Sequence, residues 1–445
     1  MIGRLQSGPP EAPFHGAAST DARKMSEKTL VTVLIGTFFF AVVTMKIGAH
    51  MMGTAIQFTL IIMAALIAGL MIWGDLKINL NRVFLYIAFI VAGGIANILS
   101  GPASQLPSFL FVFVIYFFYI FNVSISPESY VKYLSYFQKG ALVAAFCVFL
   151  DWVLQIAGIG MPNLDHIIPE NLIMFNYVYV QPLEWGAKYM KPNGIFFLEA
   201  SYISQFMAFG LIIEFCFFRR LLWMGAFGSA LLLTFGGTGM LCVILCAPVM
   251  LFYFRAKLIP IILIVTPVAA VVALQAGLLQ NIEMRSDELN EKGSSGNMRF
   301  TQQLLVVEGM FEGTTHRALV GYGSGVMLRQ LHTMYTPVAK VAYEYGLIVY
   351  VIFYIFFIYC IFGSGVPFII SWMMLMQYLF LNGSFLVPIN NFYIMMLCSL
   401  ISVRGRPRWT TFGNVLDLAR GRAEPVGLSG GQPAIVDVRA RLERG

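Results

Sequence analysis

Residues 280–336 read QNIEMRSDELNEKGSSGNMRFTQQLLVVEGMFEGTTHRALVGYGSGVMLRQLHTMYT, the only long polar segment set between two strongly apolar ones. The segment carries Arg285, Arg299, His316, Arg317, Arg329 and His332, together with the glycine run Gly321-Tyr322-Gly323-Ser324-Gly325. A polar connection of this length, among spans joined mostly by short turns, is usually functional or disordered. Everything before and after it reads as membrane, so the segment predicts a site for anionic substrates at the outer face of a bilayer.

Composition agrees. Of the 445 residues 58% are hydrophobic and 11% charged, where soluble domains carry roughly a quarter charged. The chain is expected to be a polytopic membrane protein. Its formal charge of +7 sits in short connections and tails, with no basic stripe interleaved with aromatics, which argues against nucleic acid as a partner. All six cysteines, Cys147, Cys216, Cys242, Cys246, Cys360 and Cys398, lie inside apolar runs and offer neither a loop disulfide nor a zinc site.

Spans need about 20 apolar residues each. The runs are 30–49, 54–73, 83–99, 107–124, 140–160, 195–217, 221–236, 238–254, 258–279, 338–362, 366–382 and 385–403. They predict an all-α fold of about twelve transmembrane helices, with the large polar loop between helices 9 and 10. Residues 221–236 and 238–254 form a hairpin through Gly236-Gly237-Thr238-Gly239. The Pro/Gly/Ala/Ser-rich leader and residues up to 29 read as a disordered tail with no removable signal peptide, residues 30–403 as the transmembrane domain, and residues 404–445 as a solvated extension.

Basic residues mark alternate connections: Arg23, Lys24 and Lys28; Lys77 and Arg82; Lys132 and Lys139; Arg219 and Arg220; Arg255 and Lys257; Arg404, Arg406 and Arg408. The positive-inside rule makes that side cytoplasmic, along with both termini. Loops 161–194 and 280–336 then lie outside. No internal repeat relates the two halves, which weakens a transporter reading.

Two constellations carry candidate chemistry. In the first, Gly296 to Leu305 predicts a surface helix with Arg299, Gln302 and Gln303 on one face and Leu305 and Val306 on the other. His316-Arg317 and the glycine run follow, then Arg329 and His332 as i, i+3 neighbours. A glycine-rich turn entering a helix offers free N–H groups to phosphate, and arginine adds a forked, permanently charged donor. The plainer reading has these arginines on lipid headgroups.

The second is Lys191-Pro192-Asn193-Gly194-Ile195-Phe196-Phe197-Leu198-Glu199-Ala200-Ser201-Tyr202 at the mouth of the sixth span. A Pro-Asn-Gly turn is followed by a carboxylate in an apolar run, which needs a partner or a water-filled cavity. Lys191 or a loop arginine would supply the partner, as a structural ion pair or in direct catalysis. Asp151, placed near the middle of the fifth span, is a similar residue, and Glu214 near Arg219 reads as interfacial. The loosely spaced Asp287, Glu288 and Glu291 read as solvated more readily than as a cation site.

On these residues the chain resembles the O-antigen polymerase and O-antigen ligase superfamily of bacterial inner membranes. Lys191 to Ser201 looks like that family's Arg-x-x-Gly-(Leu/Ile)-Phe-x-Glu-Pro-Ser signature, shifted by one residue before Glu199, with Lys191 at the arginine and Ala200 at the proline. Gly296 to Gln302 resembles its Ser-Gly-x-Arg element through Arg299. Gly321-Tyr322-Gly323, His332 and Tyr343-Glu344-Tyr345-Gly346-Leu347 are similar to its Gly-x-Gly, His and Glu-x-Gly-(Leu/Ile) succession, with a longer interval after the histidine.

The resemblance implies a GT-C-related membrane glycosyltransferase in the bacterial inner membrane. It would use an undecaprenyl-diphosphate-linked oligosaccharide, with no cofactor, nucleotide sugar or required metal. It implies membrane lipid as a further partner, with chain-length regulator and export proteins beside it. In that chemistry a sugar hydroxyl attacks the anomeric carbon as the lipid diphosphate leaves. His332 is expected as general base, with Glu199 the next candidate. Arg299, Arg317 and Arg329 would bind the diphosphate, while Lys191 and Glu199 shape the acceptor side. Polymerase and ligase both remain open, as does a lipid-linked glycan transporter or flippase. A dolichyl-phosphate-type enzyme fits less well, because Lys46-Ile47-Gly48-Ala49-His50 in the first outer loop lacks its acidic pair.

Overall fold

The computed structural model describes residues 24–51, 54–162, 164, 167–174, 177–183, 188–252, 297, 301–331, 336–380 and 383–404. The span expected at 258–279, the acidic cluster at 287–291, Arg285, Arg299 and His332 lie outside the described residues, as do positions 1–23 and 405–445.

The described chain is mostly helical. Its apolar helices are α1 (Glu27–Val43), α2 (Phe58–Ile72), α3 (Leu80–Leu99), α4 (Leu106–Phe117), α5 (Pro127–Ile156), α6 (Ala200–Ile213), α7 (Leu221–Leu233) and α8 (Gly237–Phe252). After α9 (Thr301–Glu312), α10 (Thr315–Val320) and α11 (Val326–Leu331), apolar helices resume with α12 (Pro337–Phe362), α13 (Phe368–Phe380) and α14 (Pro388–Ile394). A π-helical turn extends α6 over Glu214–Phe218 and α14 over Met395–Ser399. Among the described residues, α3, α5, α6 with its extension, and α12 are long and apolar enough to cross a membrane.

Local sequence explains the starts. Ser26 and Asn79 accept backbone N–H bonds from Thr29 and Arg82 at the heads of α1 and α3. Pro127 and Pro337 occupy the first helical position, where no N–H is needed. Because Ser126 caps at Pro127, α5 begins well before the apolar run drawn from 140. Exposed Lys132 and Lys139 therefore lie within the helix instead of in a connection.

The expectation of an all-helical chain needs one amendment, since two small sheets close the helix ends. A hairpin pairs β1 (Gly48–Met51) with β2 (Thr54–Gln57). At the opposite end β3 (Leu76–Ile78) pairs antiparallel with β4 (Phe121–Ile125), and β4 pairs parallel with β5 (Ile401–Val403). That sheet end also gathers Met25 N on Asp75, and Glu27 on Ser126, Ser129 and Arg404. The other end, the loop end, carries the hairpin, the α5–α6 connection and α9 to α11.

Two basic residues read as loop charges are structural. Arg82 is buried and donates to the carbonyls of Tyr119, Phe121, Ser399 and Cys360 at 2.6–3.3 Å. These carbonyls lie where helices end, so a cation there offsets their aligned partial negative charge. Glu214 is fully buried and not interfacial. Its carboxylate takes a forked bond from Arg220 at 2.7 and 2.8 Å, and the Arg220 guanidinium lies over Trp223.

In the core, Phe38 packs among Phe137, Phe206, Phe392 and Tyr393, joining α1, α5, α6 and α14. The glycines of the predicted hairpin set a close approach: a Cβ on Gly239 would stand 2.2 Å from the Ser204 carbonyl oxygen. They let α8 lie directly on α6.

Candidate active site

Glu199 stands at the N-cap of α6 in extended backbone, φ −148° and ψ 165°. It is half-buried at the loop end. One carboxylate oxygen accepts Val178 N at 3.1 Å and the other accepts the Ser201 hydroxyl at 3.1 Å. Such anchoring fixes a carboxylate while leaving lone pairs for a substrate. Its negative charge is favoured at a helix N-terminus.

Tyr177 and Tyr202 flank it, edge to face at 6.2 Å. Burial pushes the Tyr177 phenol up to about 12; its hydrogen bond to Tyr202 opposes this, and the neighbouring Glu199 charge reinforces it. Tyr177 thus stays a proton donor at any physiological pH.

Beneath Glu199 the predicted Pro-Asn-Gly turn is present and built from α5. Asp151 Oδ2 accepts Gly194 N at 2.9 Å, and one turn further Gln155 exchanges two bonds with the Met190 backbone at 2.7 and 3.2 Å. Asn193 donates to Tyr179 O at 3.0 Å and accepts Ile195 N at 3.0 Å. Asp151 therefore sits close to the loop end of α5, not at mid-span, and its first role is to hold this turn. Lys46, buried at the end of α1, lies 5.1 Å from the Tyr179 ring centroid and acts on the Asp151 charge.

Lys191 is half-buried, with its backbone N–H on Gln181 O at 2.7 Å. Lys191 and Glu199 thus flank one turn. The residues missed from sequence are Lys46, Tyr177, Tyr179 and Tyr202. One signal was available for Lys46, a basic residue inside the first apolar run.

The glycine run differs from expectation. Gly321, Gly323 and Gly325 have φ of 85°, 101° and 73°, a conformation glycine adopts without penalty. Yet four of the turn's five N–H groups are already taken. Gly321 N donates to Arg317 O, Tyr322 N to Tyr343 O, Gly323 N to Glu344 O and Ser324 N to Asn97 Oδ1, at 2.8–3.1 Å. The run is a seam against a kink in α12, where Gly346 has φ 76°. Close contact explains the glycines: a Cβ on Gly321 would meet Glu344 O at 2.6 Å, and one on Gly346 would meet Leu319 O at 2.2 Å.

Glu344 completes the seam. Its Oε1 accepts Lys340 Nζ at 2.9 Å and Met327 N at 3.3 Å, tying α11 to α12. Arg317 donates to Ser100 O at 3.5 Å and lies over Tyr322, which stacks on Tyr343 at 4.5 Å. Arg329 and His316 are exposed. The surface helix is present over its described residues, Thr301–Glu312, but Gln303 turns inward to Thr336 while Leu304, Leu305 and Phe311 are exposed.

The structure thus joins Lys191, Glu199 and Asp151 around one turn. It seats Arg317 and Arg329 on the separate α10–α11 seam at the same end of the molecule. No protein-family model, curated protein or solved structure matches this chain.

Proposed function

We propose that this protein is a membrane glycosyltransferase that joins lipid-diphosphate-linked oligosaccharide repeat units at the outer face of a bacterial inner membrane. The reading assigns about twelve spans, a GT-C-related arrangement and both termini to the cytoplasm. The observation that carries it is Glu199: a half-buried carboxylate anchored through both oxygens at the head of a buried apolar helix, ringed by tyrosines. An anchored carboxylate of this kind suits deprotonation or orientation of an acceptor hydroxyl.

Arg317 and Arg329, with Arg299, serve the leaving diphosphate through their guanidinium groups, since four of the five glycine-run N–H groups are already engaged. Charge neutralisation of that leaving group is the largest electrostatic demand of the reaction. His332 and Glu199 are the two candidates for the base, and Lys191 borders the acceptor side. The motif resemblance supports the substrate class.

A strain lacking this chain, complemented with variants, tests the proposal by glycan profiling. Glu199→Gln or His332→Ala is expected to lower polymer yield by about 10²-fold or more, the usual worth of a general base, with the protein still present in the membrane. Single-repeat product in the deletion strain marks a polymerase, and unattached long polymer marks a ligase. Normal polymer with both variants would remove the transferase assignment; flipping without bond formation in vesicles would replace it with a transporter.

A further inference from the structure

Helix α9 presents large apolar side chains in a line that nothing else in the described chain covers. Gln303 and Met310 are buried on one side of the helix, and the half-buried Val307 packs on the pair Met327 and Ala339. Next to that buried side, Leu304 and Phe311 stand seven residues apart and so on one line of the helix, 71% and 61% exposed. Further round come the exposed Glu308 and Glu312. Leu305, beyond the acidic pair, is exposed singly.

One exposed leucine is ordinary, whereas a row of apolar groups marks a contact surface. What meets this row follows from where α9 is tied. The membrane-crossing helices α3 and α12 expose Ile98 and Ile348 at the loop end. Helix α10 is fastened to both, since Arg317 donates to Ser100 O just after α3 and Leu319 O abuts Gly346 within α12. Leu319 is itself exposed. Only Gly313 and Thr314 separate α9 from α10, and a Cβ on Gly313 would stand 3.2 Å from the Tyr322 hydroxyl of the same seam. The Phe311 end of α9 is thereby held where the hydrocarbon-facing surface of α3 and α12 runs out.

We propose that α9 is an interfacial helix, seating Leu304 and Phe311 in the headgroup and upper acyl region of the leaflet at the loop end, with Glu308 and Glu312 turned to water. An apolar line beside an acidic one divides the helix as that position demands. The bilayer is also the surface already at hand, because α3 and α12 stand in it. The contact holds the glycine-run seam, with Arg317, at the membrane surface. It requires only that the chain spans a membrane, and is independent of the transferase reading.

The six native cysteines are buried, so Leu304→Cys, Glu308→Cys and Phe311→Cys can each carry a fluorescent maleimide on the full chain in phosphatidylcholine nanodiscs. Each label is then quenched in turn by iodide in the water and by a phosphatidylcholine bearing a nitroxide near the top of its acyl chain. Seated about 5–10 Å into the leaflet, the labels of Leu304→Cys and Phe311→Cys are expected to be quenched at least about threefold more by the nitroxide lipid, and about threefold less by iodide, than that of Glu308→Cys. Three labels that respond alike to both quenchers would overturn the proposal. Labels at Leu304→Cys and Phe311→Cys shielded from both quenchers would overturn it too, and would assign the row to a protein contact such as a second copy of this chain.

Discussion

Ile195 holds a backbone conformation that a β-branched residue rarely takes, φ 67°, directly after Gly194 at 64°. A left-handed residue of this type costs about 1–2 kcal/mol, so the turn beneath Glu199 persists only because Asp151, Asn193 and Gln155 clasp it. Replacing Asp151 by Leu strands the Gly194 N–H. It is expected to cut polymer formation about tenfold or more while Glu199 is intact, a loss that misplacement alone can produce. Asp151→Asn, which keeps an acceptor for Gly194, should restore most of it. If Asn and Leu behave alike in the complemented strain, the clasp does not position Glu199. Both partners were conspicuous in the sequence, as a carboxylate in an apolar run and as a Pro-Asn-Gly turn. Their pairing was hidden because α5 extends back to Pro127 through a polar stretch containing two lysines, and a hydropathy window starts the span too late. Lys46 was the converse case, visible as a charge out of place but without a sequence neighbour to explain it.

At the scale of elements, the seam between the glycine run and the α12 kink fixes where Arg317 and Arg329 stand. The motif residues were legible in the sequence, but their work was misread. Glycine spacing is the same for a phosphate cradle and for two backbones in contact, and only the partners of the N–H groups separate the two. Gly346 is the tighter half of the contact, with both a left-handed φ and Leu319 O where a side chain would begin. Gly346→Ala should destabilise the protein by about 2 kcal/mol or more, through strain added to steric clash. A thermal unfolding midpoint in detergent equal to that of the parent would show that the seam yields. Arg82 makes the complementary point at the other end. It marked a side of the membrane in the sequence, and that inference needed only its charge. Its binding to four carbonyls could not be read, because they lie 37, 39, 278 and 317 residues away.

At the scale of the whole molecule, the order and approximate position of the helices among the described residues followed from hydropathy alone, since a segment in lipid must satisfy its own backbone. The sheets did not, being too short to show a period of two. All six cysteines are buried, so an introduced surface cysteine can report orientation against a quiet background. Ile167 at the loop end is 76% exposed, and Arg404 lies exposed at the sheet end. In intact cells a membrane-impermeant maleimide is expected to label Ile167→Cys, and to label Arg404→Cys only after permeabilisation. The reverse pattern would put Glu199 in the cytoplasm, where lipid-linked glycan exported for polymerisation cannot reach it. The parallel pairing of β4 with β5 has a consequence for biogenesis. Phe121–Ile125 leaves the ribosome early, yet its neighbour Ile401–Val403 is made only after α14. Until then one edge of β4 and the Ser399 partner of the Arg82 guanidinium are missing, so this end of the bundle closes only after α14 has been made.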